Sequence, residues 1–175
     1  MTEKQEKILR AALELFARDG FKSTSTSKVA AHAGVSEGLI FRHFKNKEGL
    51  LEAIIQEGEE RVKILFADII FETDPKAVIR KTFDTLLNIK SVNEEMEFWK
   101  LQYKVKWETE QYGEQKMIPL EMALTSAFGK LGYESPEQEA QIVLLTIDGL
   151  ATKYFLQKHY NLDNMVAFLK TKYNL

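Results

Sequence analysis

The stretch Ala33-Gly34-Val35-Ser36 restricts this chain more than any other. A glycine between a helical alanine and an apolar residue supplies the positive φ of a tight turn, and Ser36 is an N-cap former. Short helical patterns flank the turn on both sides. Helices that cross closely need small residues at the crossing, which Ala30 and Ala33 provide, and an apolar plug after the turn, which is Val35. The second pattern, Glu37 to Phe44, offers Ile40 and Phe44 to a core. It leaves Glu37, Gly38, Phe41, Arg42 and His43 free of core duty. With a supporting helix before it, this is a helix-turn-helix.

The rest of the chain reads as helix too. Three prolines and nine glycines punctuate 175 residues, and apolar positions recur at spacings of three and four. Thr2 and Gln5 form a capping box for a first helix with Ile8, Ala12, Leu15 and Phe16 on one face, ended at Asp19-Gly20. Asn46 caps a long fourth helix whose stripe runs from Leu51 to Ile69. Asp74-Pro75 starts a fifth, with Ile79, Phe83, Leu86 and Leu87 buried. A sixth spans about Asn93 to Tyr112 and stops near Gly113; Pro119 starts or kinks a seventh that ends at Leu131-Gly132. Ser135-Pro136-Glu137-Gln138 combines cap, first-turn proline and capping-box glutamine for an eighth, running to about His159, and a ninth starts near Asp163. The expectation is an all-α protein of about nine helices. Residues 1–48 form a three-helix helix-turn-helix domain, joined by the continuous fourth helix to a helical domain, 49–175, for effector binding and dimerisation.

Charge supports a division of labour. Residues 1–48 hold nine Lys/Arg against six Asp/Glu, and residues 49–175 hold fifteen against twenty. A basic head on an acidic body fits a head that meets a polyanion and a body that does not. The chain has no cysteine, so disulfides and thiolate metal sites are excluded and a reducing cytoplasm is the expected home. Met1 to Arg10 is too polar for a signal peptide, and charges interrupt every apolar run before it can span a membrane. Three dispersed histidines build no metal site. Without paired carboxylates at useful spacing, a Ser/His/Asp set or a phosphate-cradling glycine loop, the chain is expected not to be an enzyme and to need no cofactor.

From Gly20-Phe21, through Ser25-Thr26, Val29-Ala30, Ala33-Gly34-Val35-Ser36 and Ile40-Phe41-Arg42-His43-Phe44, to Lys47-Glu48-Gly49-Leu50, the chain resembles the TetR/AcrR family of bacterial transcriptional regulators. The match covers residues 8–51 without a gap. The resemblance implies a DNA-binding regulator, commonly a repressor. It also implies roles for single residues. Ser25, Thr26 and Ser27 would grip a phosphate where a helix begins, with Lys47 as a second phosphate clamp. Ser36, Glu37, Gly38, Leu39, Phe41, Arg42 and His43 would face bases or flanking phosphates. Arg42 can give two hydrogen bonds to a guanine, Glu37 can accept from a cytosine amine or stay solvated, and Leu39 can touch a thymine methyl. Phe41 departs from the family's usual tyrosine and so lacks its phenolic hydroxyl. Glu37 and Leu39 depart from the usual basic or amide residue and threonine.

The body carries an aromatic stripe instead of a motif. Met96, Trp99, Tyr103 and Trp107 follow one another along the sixth helix. With Phe66, Phe83, Leu86, Met122 and Phe128 they either fill a core or wall a pocket for an apolar or aromatic effector. The eighth helix mixes Val143, Leu144, Ile147, Leu150 and Tyr154 with Ala151, a composition suited to close helix approach between two copies of the chain. Asp148, set in this apolar run, is a hydrogen-bonded core acid, the preferred reading, or an interface residue or a ligand anchor. A two-fold dimer would set two recognition helices about 34–36 Å apart on a near-palindromic operator in double-stranded DNA. The alternative is a DNA-binding regulator without a small-molecule effector, controlled by its abundance or by a protein partner.

Overall fold

Thr2 opens α1 (Glu3–Asp19) by reciprocal capping: its hydroxyl accepts from the Gln5 N–H at 3.3 Å, and its own N–H donates to the Gln5 amide oxygen at 2.8 Å. The structure, a computed structural model, describes residues 1–109, 114–157 and 159–175. Gly20 ends α1 at φ 87°, and the buried Thr24 hydroxyl donates to the Gly20 carbonyl at 2.8 Å, which closes the loop. Ser25 caps α2 (Thr26–Ala33) by accepting from the Lys28 N–H at 3.2 Å. Gly34 then takes the left-handed conformation, φ 67° and ψ 36°, so the turn falls at the expected residue. Ser36 holds the N-cap position of α3 (Glu37–Phe44) in extended backbone, yet its side chain makes no capping bond. Asn46 does cap α4 (Lys47–Ile70), accepting from the Gly49 N–H at 2.8 Å.

Five more helices follow among the described residues: α5 (Pro75–Ser91), α6 (Asn93–Thr109), α7 (Glu114–Lys130), α8 (Pro136–Leu156) and α9 (Leu162–Lys172). No strand occurs among those residues, and no helix there is long and apolar enough to cross a membrane. One expectation here needs correction. Ser135 stands at the start of α8 without a side-chain capping bond, because its backbone sits at φ −131° and ψ 69°. Of the two roles expected for Pro119, starting or kinking the seventh helix, its place inside α7, which begins at Glu114, leaves the second. The expected end of the sixth helix at Tyr112 and its stop at Gly113 lie outside the described residues.

The chain forms two compact units, Met1–Glu60 with Glu94–Gln111, and Arg61–Asn93 with Tyr112–Leu175. In the first, Ile8, Leu15, Phe16, Val29, Ile40 and Leu50 are almost wholly buried, and Leu101 of α6 belongs to the same core. Each such side chain contributes about 1.5–3 kcal/mol on burial. Gly58 of α4 lets α6 approach: a Cβ there would meet the Gln102 amide at 2.6 Å and the Phe98 ring at 3.0 Å. In the second unit Tyr173 stacks between Phe83 and Phe128, at centroid distances of 5.8 and 5.7 Å. Its α4–α5 turn is held by Glu72, which accepts from the Thr73 and Asp74 N–H groups and from Lys81. These bonds, the one from Lys81 foremost, hold its carboxyl down at about 2.

Candidate nucleic-acid interface

Ile40 and Phe44 are buried on one side of α3, at 0% and 8% exposure. Gly38, Phe41 and Arg42 are exposed, and Glu37, Leu39 and His43 are half-buried at the margins. The split follows from helical spacing: Ile40 and Phe44 are four residues apart, as are Gly38 and Arg42, so each pair shares a face. Phe41, 48% exposed, spends an aromatic ring on the open side. The Arg42 guanidinium has no partner among the described residues and keeps its five donors for another molecule.

The start of α2 carries Ser25, Thr26 and Ser27. Ser25 and Ser27 share a hydrogen bond of 2.9 Å. Thr26 makes a contact that the sequence did not announce: its hydroxyl donates to Glu37 Oε1 at 2.6 Å. Glu37 is thus neither simply solvated nor simply free for a base. Lys47 is also engaged. Its ammonium donates to the Phe21 carbonyl at 3.0 Å and the Lys22 carbonyl at 3.4 Å, and lies 4.5 Å from the Phe21 ring centre. His43 Nδ1 pairs with the Gln5 amide nitrogen at 3.4 Å, which makes that ring nitrogen the acceptor. His32 pairs with Glu14 at 2.8 Å, and this hydrogen bond holds the Glu14 carboxyl below its usual range.

The residues expected to wall a pocket divide between the units. Met96, Trp99, Tyr103 and Trp107 are in the first; Phe66, Phe83, Leu86, Met122 and Phe128 are in the second. Phe66, Phe83, Leu86 and Phe128 are buried, Met96, Trp99 and Tyr103 half-buried, and Trp107 and Met122 exposed. The second unit has an open cleft of about 400 Å³ among Ile70, Thr73, Val78, Met122, Ser126 and Lys130, which takes in Met122 alone of those nine residues. Of the expected dimer residues, Val143, Leu150 and Ala151 are buried within the chain and Leu144, Ile147 and Tyr154 half-buried. The open apolar side of α8 is offset from them by a residue, at Ile142, Leu145 and Leu156, and α9 exposes Phe168. Asp148 is half-exposed, so it is not a core acid in the single chain.

Residues 8–54 match the family model for bacterial regulatory proteins of the tetR family. Over 66 residues the chain is 44% identical to the HTH-type transcriptional regulator YvkB of Bacillus subtilis, covering 37% of this chain and 35% of that protein. The chain therefore spans about a third of the length of that curated relative. Solved structures match far more of it. A transcriptional regulator from Saccharomonospora viridis in complex with choline superposes with a TM-score of 0.80 over 99% of this chain and 97% of that one, at 17% identity. The SmeT–triclosan complex superposes at 0.74 over 89% and 82%, at 19% identity. At those identities the likeness speaks for the fold. Residues 8–54 thus resemble the tetR family of bacterial regulatory proteins by sequence, and the chain as a whole shares the fold of these solved regulators.

Proposed function

We propose that the protein is a sequence-specific DNA-binding repressor that acts as a homodimer and is released from its operator by a small apolar or aromatic ligand. The observation that carries the reading is the division of α3 into a buried side, Ile40 and Phe44, and an open side bearing Gly38, Phe41 and Arg42, the last without a partner among the described residues. A helix held by a core on one side and free on the other is what the major groove admits. The exposed apolar residues of α8 and α9, Leu145 at 68% and Phe168 at 62%, support a second copy as partner. Selection of bound duplexes from random DNA by the full-length chain tests the reading. The expected product is a near-palindrome with half-site centres about 34–36 Å apart. Salt-sensitive binding with no enriched sequence would overturn it.

Release by a ligand is a linkage effect and needs an element both sites bias. Helix α6 is that element. Leu101 sits in the head core, Gln102 donates to the Ile54 carbonyl at 3.3 Å, and Lys104 donates to the Ala17 carbonyl near the end of α1. The half-buried Met96, Trp99 and Tyr103 lie on the same helix, so a ligand that displaces them strains the head directly. The ligand complexes of the two structural relatives, with choline and with triclosan, support this part of the reading. The second reading, a regulator without an effector, is favoured by the closed packing of Phe83 and Phe128 against Tyr173.

A further inference from the structure

The hydrogen bond between Thr26 and Glu37 joins the first turn of α2 to the first turn of α3, eleven residues apart, at 2.6 Å. A threonine hydroxyl has one proton to give. While it goes to Glu37, Thr26 cannot donate to a phosphate. Glu37 has a second carboxylate oxygen, Oε2, with no partner among the described residues. Next to it Gly38 carries no side chain, and the space where its Cβ would lie is open to 4 Å. A fixed carboxylate thus stands at the edge of an uncovered surface.

A carboxylate near a duplex is repelled by its phosphates, and only a base-edge donor compensates for that. In the major groove the amino group of cytosine is the donor that suits Glu. Arg42 lies five residues further along α3, about 7.5 Å of axial rise. Five residues also turn the helix by about 140°, so the two side chains leave it in different directions and meet separate positions. The guanidinium is the complementary reader, a two-pronged donor for guanine O6 and N7.

We propose that Thr26 is a positioning residue for specificity: it orients Glu37 to require a cytosine in each half-site, at a position separate from the guanine read by Arg42. The inference rests on the DNA-binding reading above. The carboxylate acts chiefly by exclusion. Guanine and thymine offer Glu37 only acceptors in the major groove, and the adenine amino group is the one other donor it could meet.

The test is selection from a random duplex library by the full-length wild type, T26V, T26S and E37Q chains, followed by affinity measurements on single-base variants of the enriched site. Wild type is expected to prefer cytosine about tenfold or more at one position per half-site. E37Q loses that preference, turns toward adenine and binds random DNA more tightly. T26V loses most of the cytosine preference while keeping the guanine preference assigned to Arg42, and T26S restores it. A thermal melt of T26V near that of wild type makes the selection interpretable; if T26V melts early, T26A takes its place with the same expected loss. No enriched motif with wild type sinks the DNA-binding reading and the inference with it. A motif whose cytosine is absent or indifferent to E37Q overturns this inference and leaves DNA binding standing. A T26V chain that weakens equally on all sequences makes Thr26 a phosphate contact and also overturns it.

Discussion

Lys47 reaches back from the first residue of α4 to the carbonyl of Phe21, 3.0 Å away, with its ammonium over the Phe21 ring. Phe21 in turn meets Phe16 edge to face at 5.2 Å, so the lysine is tied through the loop to the head core. Two of its three donors point at backbone carbonyls, and one remains for a phosphate. Lys47→Met should therefore do two separable things. It should lower head stability by about 1–2 kcal/mol, through two lost charge-assisted hydrogen bonds and a cation–π contact. It should also weaken binding to every DNA sequence and reduce the salt slope by about one. An unchanged melting curve would remove the internal tie, and an unchanged salt slope would remove the phosphate contact.

Gly34 and Gly49 differ in why they must be glycine. Gly34 is left-handed, but nothing lies within 4 Å of where a Cβ would stand, so Gly34→Ala should cost only the backbone strain, about 1–2 kcal/mol. Gly34→Asn should cost less, because asparagine tolerates that conformation. At Gly49 a Cβ would lie 1.9 Å from the Phe44 carbonyl oxygen, a backbone atom that cannot swing aside. Gly49→Ala should be the more damaging of the two in denaturant melts. A milder effect there than at Gly34 would contradict the packing.

The helix-turn-helix was legible because its determinants are local: Gly34, the Asn46 cap and the spacing of Ile40 and Phe44 need only neighbours along the chain. The Thr26–Glu37 bond was not, since it depends on how two helices cross, which no periodicity encodes. The open side of α8 was not legible for another reason. That helix is apolar nearly all round, from Ile142 through Leu145 to Leu150, so its pattern does not say which side the chain keeps for itself. Trp107, 77% exposed, likewise shows that an aromatic at helical spacing need not be core.

Leu145→Glu or Phe168→Glu puts a charge on the open apolar side of α8 or α9, without touching the buried Val143 or Leu150. Either should turn a dimer into a monomer in analytical ultracentrifugation while leaving the helical content unchanged. Operator affinity should fall with it, because each half-site then binds alone. A stable dimer carrying both substitutions would move the interface elsewhere.

Tyr173 sets a pH dependence at the alkaline end. Burial raises its phenol to about 12, and the nearby Glu139 carboxylate, which accepts from its hydroxyl at 3.3 Å, adds to the shift. A group whose folded value exceeds its unfolded value, here about 10, gives stability that is complete below pH 10. That stability is lost as pH rises toward 12, since the unfolded chain releases its proton first. Tyr173→Phe should flatten the fall in melting temperature between pH 10 and 12 and leave neutral-pH stability little changed, because the ring contacts with Phe83 and Phe128 remain. An equally steep fall in the variant would assign the alkaline transition to other groups.

Gly58 is where α4 gives α6 room, and it offers a test of α6 as the coupling element. Gly58→Ala gains helix propensity of about 1 kcal/mol, but its methyl would stand 2.6 Å from the Gln102 amide and 3.0 Å from the buried Phe98 ring. Gln102 can swing away only by leaving the Ile54 carbonyl, and Phe98, 1% exposed, has nowhere to go. Overpacking of that kind typically costs about 1–3 kcal/mol, so the net effect should be destabilising. Adding Gln102→Ala should recover part of the loss by opening space at the shorter contact. A double-mutant cycle on stability should therefore show non-additivity of at least about 0.5 kcal/mol. The same cycle measured on operator affinity separates packing from coupling: if α6 carries the signal, Gly58→Ala shifts affinity beyond what its stability change explains, and Gln102→Ala reverses that shift. Strict additivity in both measurements would argue against α6 as the coupling element.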